Sequence, residues 1–154
     1  MCGIAGLIAA APLADADALR ARGRAMADAI LHRGPDDGDV WIDAGPGVVL
    51  AHRRLSILDL SPAGHQPMQS ACARYVVVYN GEIYNWAELR GELEAVGQAP
   101  AWRGHSDTEV LLAGIVAWGL EATLRRARGM FALALWDRAE KTLTLARDRI
   151  GEKP

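Results

Sequence analysis

The hydrophobic positions of this 154-residue chain fall into short runs of two kinds. Some are continuous or alternate with a period of two; others recur every three or four residues. Cys2 to Ile8 is an apolar run of strand length. Pro12 and Asp15 then open a helix predicted to reach about Leu31, with Leu19, Met26 and Ile30 as its inward face. His32-Arg33-Gly34-Pro35-Asp36-Asp37-Gly38 is a dense turn signal. The β-rich runs Val40–Ile42 and Val48–Ala51 flank Ala44-Gly45-Pro46-Gly47, a hairpin pattern, and the second leads into His52-Arg53-Arg54-Leu55-Ser56-Ile57-Leu58. Ser61 to Met68, with two prolines and Gly64, reads as a loop.

Arg74 to Tyr79 is nearly apolar throughout, as in a strand covered on both faces. Asn80-Gly81 separates it from Glu82-Ile83-Tyr84, and Asn-Gly between two β runs predicts a tight hairpin turn. Asn85 is the expected cap of a helix whose stripe is Leu89, Leu93 and Val96, stopped by Gly97. Ser106-Asp107-Thr108-Glu109 has the form of a capping box, opening a helix that carries Val110, Leu111 and Trp118. A short amphipathic segment, Leu120 to Ala127, follows. Met130–Trp136 and Thr142–Ala146 around Asp137–Lys141 form a last hairpin. Helices between runs of such strands predict an α+β fold of two stacked antiparallel sheets with helices outside, rather than a parallel doubly wound sheet.

Composition narrows the picture. At this length one domain is the simplest reading, burying roughly 68–70% of its unfolded surface. A net charge of −2 without any basic block argues against a nucleic-acid surface. No apolar run approaches the ~18 residues of a membrane span, and the apolar stretch from Leu7 lacks the basic flank of a secretory signal. Cys2 and Cys72 are the only cysteines, which fits a reducing cytoplasm without disulfides. None of the four histidines stands at zinc-ligand spacing, so no metal site is expected. Arg147 to Pro154 has neither cap nor polar tail and reads as a chain that continues.

Candidate chemistry begins at Cys2. Loss of the initiator methionine would leave one residue with a thiol, normally near ~8.5, and an α-amine, normally near ~7.7–8.0. That is a nucleophile and its base in a single residue; the plainer reading is a small buried side chain. Of Arg53 and Arg54, one is usually solvated and one paired, and a surface role is the default. Turned inward, a guanidinium could hold a carboxylate bidentately. Asn80-Gly81 reads first as a turn, yet the Asn80 amide and the Gly81 N–H could also form an oxyanion hole. Asp107 sits where a helix dipole favours an ionised carboxylate, either for the helix itself or for a substrate ammonium. His65 is expected to be structural or exposed, and Cys72 a buried structural thiol.

Seven motifs stand in order: MCGIAG, HRGPDD, AHRRLSILDLS, YNGEIYN, SDTEV, RGMFALALWD and RDRIGEKP. Each is weak alone, but the ordered set covers essentially the whole chain. It resembles the N-terminal glutaminase domain of glutamine-dependent asparagine synthetases, which are class II glutamine amidotransferases. Glucosamine-phosphate synthases and phosphoribosyl amidotransferases also begin with CGI but continue differently at HRGPDD and lack RLSILDLS. The resemblance implies the N-terminal-nucleophile hydrolase fold, a four-layer αββα sandwich of two antiparallel sheets. It makes Cys2 the nucleophile with its freed α-amine as base, and Asn80 with Gly81 the oxyanion hole. Arg54 would clamp the glutamine α-carboxylate, with Arg53 its more variable neighbour, and Glu82 and Asp107 would receive the α-ammonium. It further implies a cytoplasmic domain over residues 1–154, without cofactor or metal of its own. Its partners would be L-glutamine and a C-terminal synthetase domain, absent here, that uses ATP and magnesium to amidate aspartate; the full-length protein could form a homodimer. Two other readings are a parent enzyme with another acceptor, and a non-catalytic glutamine-binding module, against which the presence of Cys2 weighs.

Overall fold

A computed structural model describes residues 2–9, 15–55 and 62–153. Met1, the Pro12 helix start, the Ser56-Ile57-Leu58 run and Ser61 lie outside them. The described residues form β1 (Gly3–Ile8), α1 (Ala16–Ala29), β2 (Asp37–Asp43), β3 (Val48–Arg54), β4 (Met68–Gln69), β5 (Tyr75–Ile83), α2 (Trp86–Ala95), α3 (Asp107–Trp118), α4 (Leu120–Arg126), β6 (Gly129–Asp137) and β7 (Thr142–Arg147). One sheet has the order β1-β3-β2 and the other β4-β5-β6-β7, and every pairing is antiparallel.

Three apolar clusters stack these elements. Leu19 and Ala27 of α1 pack on Val40, Val49 and Ala51, the outer face of the first sheet. Val48 and Leu50 meet Val76, Val78, Ala134 and Trp136 between the sheets. Val77, Leu133 and Leu135 pack on Leu89, Leu93, Leu111 and Ile115 from α2 and α3. The result is the expected four-layer αββα sandwich. Each fully buried aliphatic side chain contributes about 1.5–3 kcal/mol. Trp136 also donates from Nε1 to Asp43 Oδ2 at 3.2 Å, joining the two sheets. Among the described residues no helix is long and apolar enough to cross a membrane.

Several local expectations are corrected. The buried stripe of α1 is Leu19, Gly23 and Ala27, while Met26 and Ile30 are only half-buried at its margins. A Cβ on Gly23 would lie 2.6 Å from Val49 Cγ1, so the helix rests close to the sheet and only small side chains fit beneath it. Asp37 and Gly38, read as turn, already belong to β2. Asn80-Gly81 is no turn at all: both residues run straight through β5, paired with Ala132 and Phe131. Neither has the positive φ that the hairpin turn would require. The chain leaves the sheet later, where Tyr84 N donates to Arg128 O at 2.7 Å.

Asn85 stands at the N-cap position of α2 without capping it. Its amide instead accepts from Arg128 N at 2.8 Å and donates to Arg126 O at 3.1 Å, tying α2 to the α4–β6 link. Val96 is exposed. Ser106 caps α3 through Thr108 N, but Glu109 does not close the box; it accepts from Arg103 N and Gly104 N. Cys72 is exposed in the β4–β5 turn, with Sγ 3.3 Å from Ser70 Oγ.

A Cβ on Gly81 would strike the Met130 carbonyl and lie 2.7 Å from Phe131 Cα. Because a paired backbone cannot step aside, Gly81→Ala should lower stability by about 1–3 kcal/mol. A urea midpoint equal to that of the parent chain, at equal slope, would show that β5 and β6 tolerate the methyl group.

Candidate active site

Strand alternation decides what stands at one end of the seam between the sheets. Ile4, Val48, Leu50, Val76 and Val78 all face that seam. Continuing each strand by steps of two, the same faces present Cys2 just before β1, His52 and Arg54 on β3, and Asn80 and Glu82 on β5. The apolar seam therefore gives way to polar side chains, and a cleft of about 150 Å³ opens there. Cys2, Arg54, Asn80, Gly81, Glu82 and Asp107 all line it, so all six candidate residues meet in one place.

Cys2 is held alongside β3 by the pairing of Gly3 with Arg53. Its Sγ lies 3.4 Å from Leu55 N, which donates to it, and 3.7 Å from Leu55 O. Arg33 Nε donates to the Cys2 carbonyl at 3.2 Å. The two adjacent arginines separate by alternation. Arg53 turns to α1, donating to Ala27 O at 3.2 Å and pairing with Asp28, in the last turn of the helix, where its dipole favours a cation. Arg54 turns into the seam and is buried. Its guanidinium backs onto Gly64, where an added Cβ would lie 2.8 Å from Cζ.

The edge of the second sheet supplies a backbone donor. β4 covers only Val76 and Val77, so the backbone groups of β5 beyond them lack a partner strand. At Tyr79 the Gln66 side chain substitutes for one: Tyr79 N donates to Oε1 at 2.7 Å and Nε2 donates to Tyr79 O at 3.2 Å. At Ile83 the N–H donates to Asp107 Oδ2 at 2.9 Å. Gly81 lies midway, and the same alternation turns its N–H toward this edge and the cleft. The absence of a Cβ at Gly81, expected to admit a ligand, instead admits the backbone of β6.

Asp107 is buried and also accepts from Tyr79 Oη at 2.8 Å. Burial pushes its carboxyl above the usual range. The Ile83 N–H, the Tyr79 hydroxyl and the Thr108 N–H pull it back, the charge of Glu82 adds to the rise, and the net shift is upward. That reverses the expectation from the helix dipole alone. Among the described residues no ion pair holds Glu82 or Asp107. A cleft lined by a guanidinium and two such carboxylates matches a small zwitterion. His52 is fully buried, its Nε2 donating to Tyr79 O at 3.1 Å, and its Nδ1 has no partner among the described residues. Burial pulls its pKa down to about 4, so the ring is neutral.

Sequence reasoning missed Gln66, Tyr79 and Lys153 as cleft residues. Lys153 is brought there by Asp148, whose carboxylate accepts from Phe131 N, Ile150 N, Glu152 N and Lys153 N at 2.9–3.2 Å. Burial raises the Asp148 carboxyl, but the N–H groups of Glu152, Lys153, Phe131 and Gly151 bring it down to about 2. Asp148 followed by Gly151, which has φ +73°, was the available turn signal. No cluster of three or more His, Cys, Asp or Glu side chains suited to a metal occurs among the described residues.

A family model described as a glutamine amidotransferase domain matches residues 1–154. A Mycobacterium tuberculosis protein provisionally named an asparagine synthetase (glutamine-hydrolyzing) is 45% identical over 165 residues, covering 100% of this chain and 25% of its own length. Asparagine synthetase (glutamine-hydrolyzing) 1 of Bacillus subtilis is 41% identical over 154 residues, covering 100% of this chain and 23% of its own length. The chain thus spans about a quarter of the length of these relatives. Among solved structures, the glutamine phosphoribosylpyrophosphate amidotransferase of B. subtilis matches with a TM-score of 0.54 at 22% identity, over 68% of this chain and 24% of that one. That likeness establishes the fold, that of the N-terminal-nucleophile hydrolases.

Tyr79→Phe removes a donor that favours ionised Asp107, so its carboxyl should rise further, read by carbon NMR titration of the side chain. The lost bond should cost about 1.5–3 kcal/mol where Asp107 is ionised. The deficit should shrink as pH falls below the raised Asp107 value; a pH-independent deficit would mean the hydroxyl does not serve the carboxylate.

Proposed function

We propose that this chain, which belongs to the glutamine amidotransferase domain family, hydrolyses L-glutamine to glutamate and ammonia through a thioester on Cys2. The observation that carries this reading is the meeting of Cys2, Arg54, Glu82 and Asp107 in one cleft. Arg54 takes the α-carboxylate in its planar fork, and Glu82 with Asp107 takes the α-ammonium. The side-chain amide is then left to reach Cys2.

Removal of Met1 frees the Cys2 α-amine, which accepts the thiol proton directly or through one water. The thiolate adds to the amide carbonyl carbon, and the oxyanion is received by the Asn80 side-chain N–H and the Gly81 N–H. One missing donor of this kind typically costs about 10²–10³ in rate. The C–N bond then breaks, and ammonia leaves with the proton carried by the α-ammonium of Cys2. Water, deprotonated by the same amine, attacks the thioester; glutamate leaves and the thiol is restored. The domain over 1–154 would precede an ATP- and magnesium-dependent synthetase domain that transfers the ammonia to aspartate, in a cytoplasmic protein. The length of the relatives and their printed names support that part of the proposal.

Incubation with diazo-oxo-norleucine, an electrophilic glutamine mimic, should give a des-Met chain carrying one adduct mapped to Cys2 by mass spectrometry. Cys2→Ala should abolish glutamate release, and material retaining Met1 should be inactive. Arg54→Ala should mainly raise KM, by about 10- to 100-fold for the loss of a charge-assisted bond. Glutamate release by the Cys2→Ala protein would overturn the mechanism.

A further inference from the structure

His65 stands beside the cleft without lining it, and both of its ring nitrogens face carboxylates. Nδ1 lies 2.8 Å from Asp37 Oδ2 and Nε2 lies 3.3 Å from Asp39 Oδ2. A neutral imidazole has one N–H and can donate to only one of them; the imidazolium donates to both. Asp37 and Asp39 project from β2, opposite Arg54 and His52 in the β2–β3 register. The residue before His65 is Gly64, against which the Arg54 guanidinium rests. The residue after it is Gln66, which holds the Tyr79 backbone on the far wall. Fastening His65 to β2 therefore fixes both neighbours against the cleft.

We propose that His65 is a positioning residue: as an imidazolium it straps residues 63–66 to β2, and through Gly64 it holds the Arg54 guanidinium where a ligand carboxylate is bound. The inference rests on the glutamine reading for the identity of that ligand. Among the described residues, the charged or titratable groups facing His65 are Asp37 and Asp39 from β2, with Arg54 and the neutral His52 from β3; residues 62–66 contribute no other.

Burial pulls the His65 pKa down, but the hydrogen bonds and charges of Asp37 and Asp39 more than compensate, leaving it above 6.5. Burial likewise raises Asp37, but its bonds to His65 and the Gly38 N–H bring it below the usual carboxylate range, so it stays ionised. The sign follows. The strap is complete below the unfolded value near 6.5 and is lost as pH rises through the raised folded value. Above it, one carboxylate loses its donor and the support behind Arg54 loosens. KM for glutamine should rise while kcat, set by Cys2 and the oxyanion donors, responds only to groups common to every variant.

The test uses the full chain, with parallel His65→Gln and His65→Arg variants, between about pH 5.5 and 8.5, the range in which an imidazole titrates. In the parent protein, the Arg54 Nε–H and Gly64 amide NMR signals should move with the midpoint of the His65 ring. Over the same interval KM should rise about two- to fivefold, the range a partly exposed ion pair can transmit. His65→Gln should show the high KM at every pH, and His65→Arg, a permanent cation, the low one. Arg54 signals indifferent to His65 titration, or a His65→Gln KM profile superimposing on the parent, would overturn the proposal. Arg54 following His65 in a protein that neither binds nor hydrolyses glutamine would leave the strap standing and remove the glutamine reading instead.

Discussion

A strand offers each side chain one of two faces, and this restriction makes the cleft. Along β1, β3 and β5 the residues that pack the seam share a parity with Cys2, Arg54, Asn80 and Glu82, so the apolar core and the polar site are one continuous surface. A slip of one residue in β1 would turn Cys2 toward α1 and leave the cleft without its thiol. Close approach of β5 and β6 guards the register where it matters most. Gly81 and Gly129 both lack the Cβ that would strike the opposing backbone, and they bracket Glu82.

The same parity concentrates charge where water is scarce. Asp107 is held by the Tyr79 hydroxyl and the Ile83 N–H, yet burial and Glu82 still push its carboxyl upward. At neutral pH an ionised Asp107 therefore weighs against folding, by the linkage between a raised carboxyl pKa and stability. A bound ammonium group relieves that cost, so the site gains more from a cationic ligand than its geometry alone conveys.

Much of this was legible before any coordinates. The final hairpin and the stacking of two antiparallel sheets follow from period-two patterning and punctuation, whereas the inward turn of Arg54 came only with the ordered motifs, the residues alone favouring a surface role for the pair. What failed did so for identifiable reasons. Asn80-Gly81 carries a hairpin signal, but nine residues of β5 paired to nine of β6 outweigh a local dipeptide preference. Asn85 and Glu109 have capping chemistry, and tertiary partners, Arg128 and Arg103–Gly104, claim their side chains instead. Gly23 was invisible as a contact residue because hydrophobic stripes reward large side chains, whereas a helix lying close on a sheet rewards the smallest. Gln66 acting as a surrogate strand has no local signature, since its role depends on where β4 stops.

The Asp148 turn links distant stretches of the chain in time as well as in space. Its carboxylate gathers Phe131 N on β6 together with Ile150, Glu152 and Lys153, and so folds the last described residues onto the cleft. Lys153 leaves the ribosome more than a hundred residues after Cys2. A growing chain thus carries its thiol through the synthesis of everything between them before this wall of the pocket can be laid beside it. Order of synthesis alone keeps the site incomplete until the residues that wall it have been made.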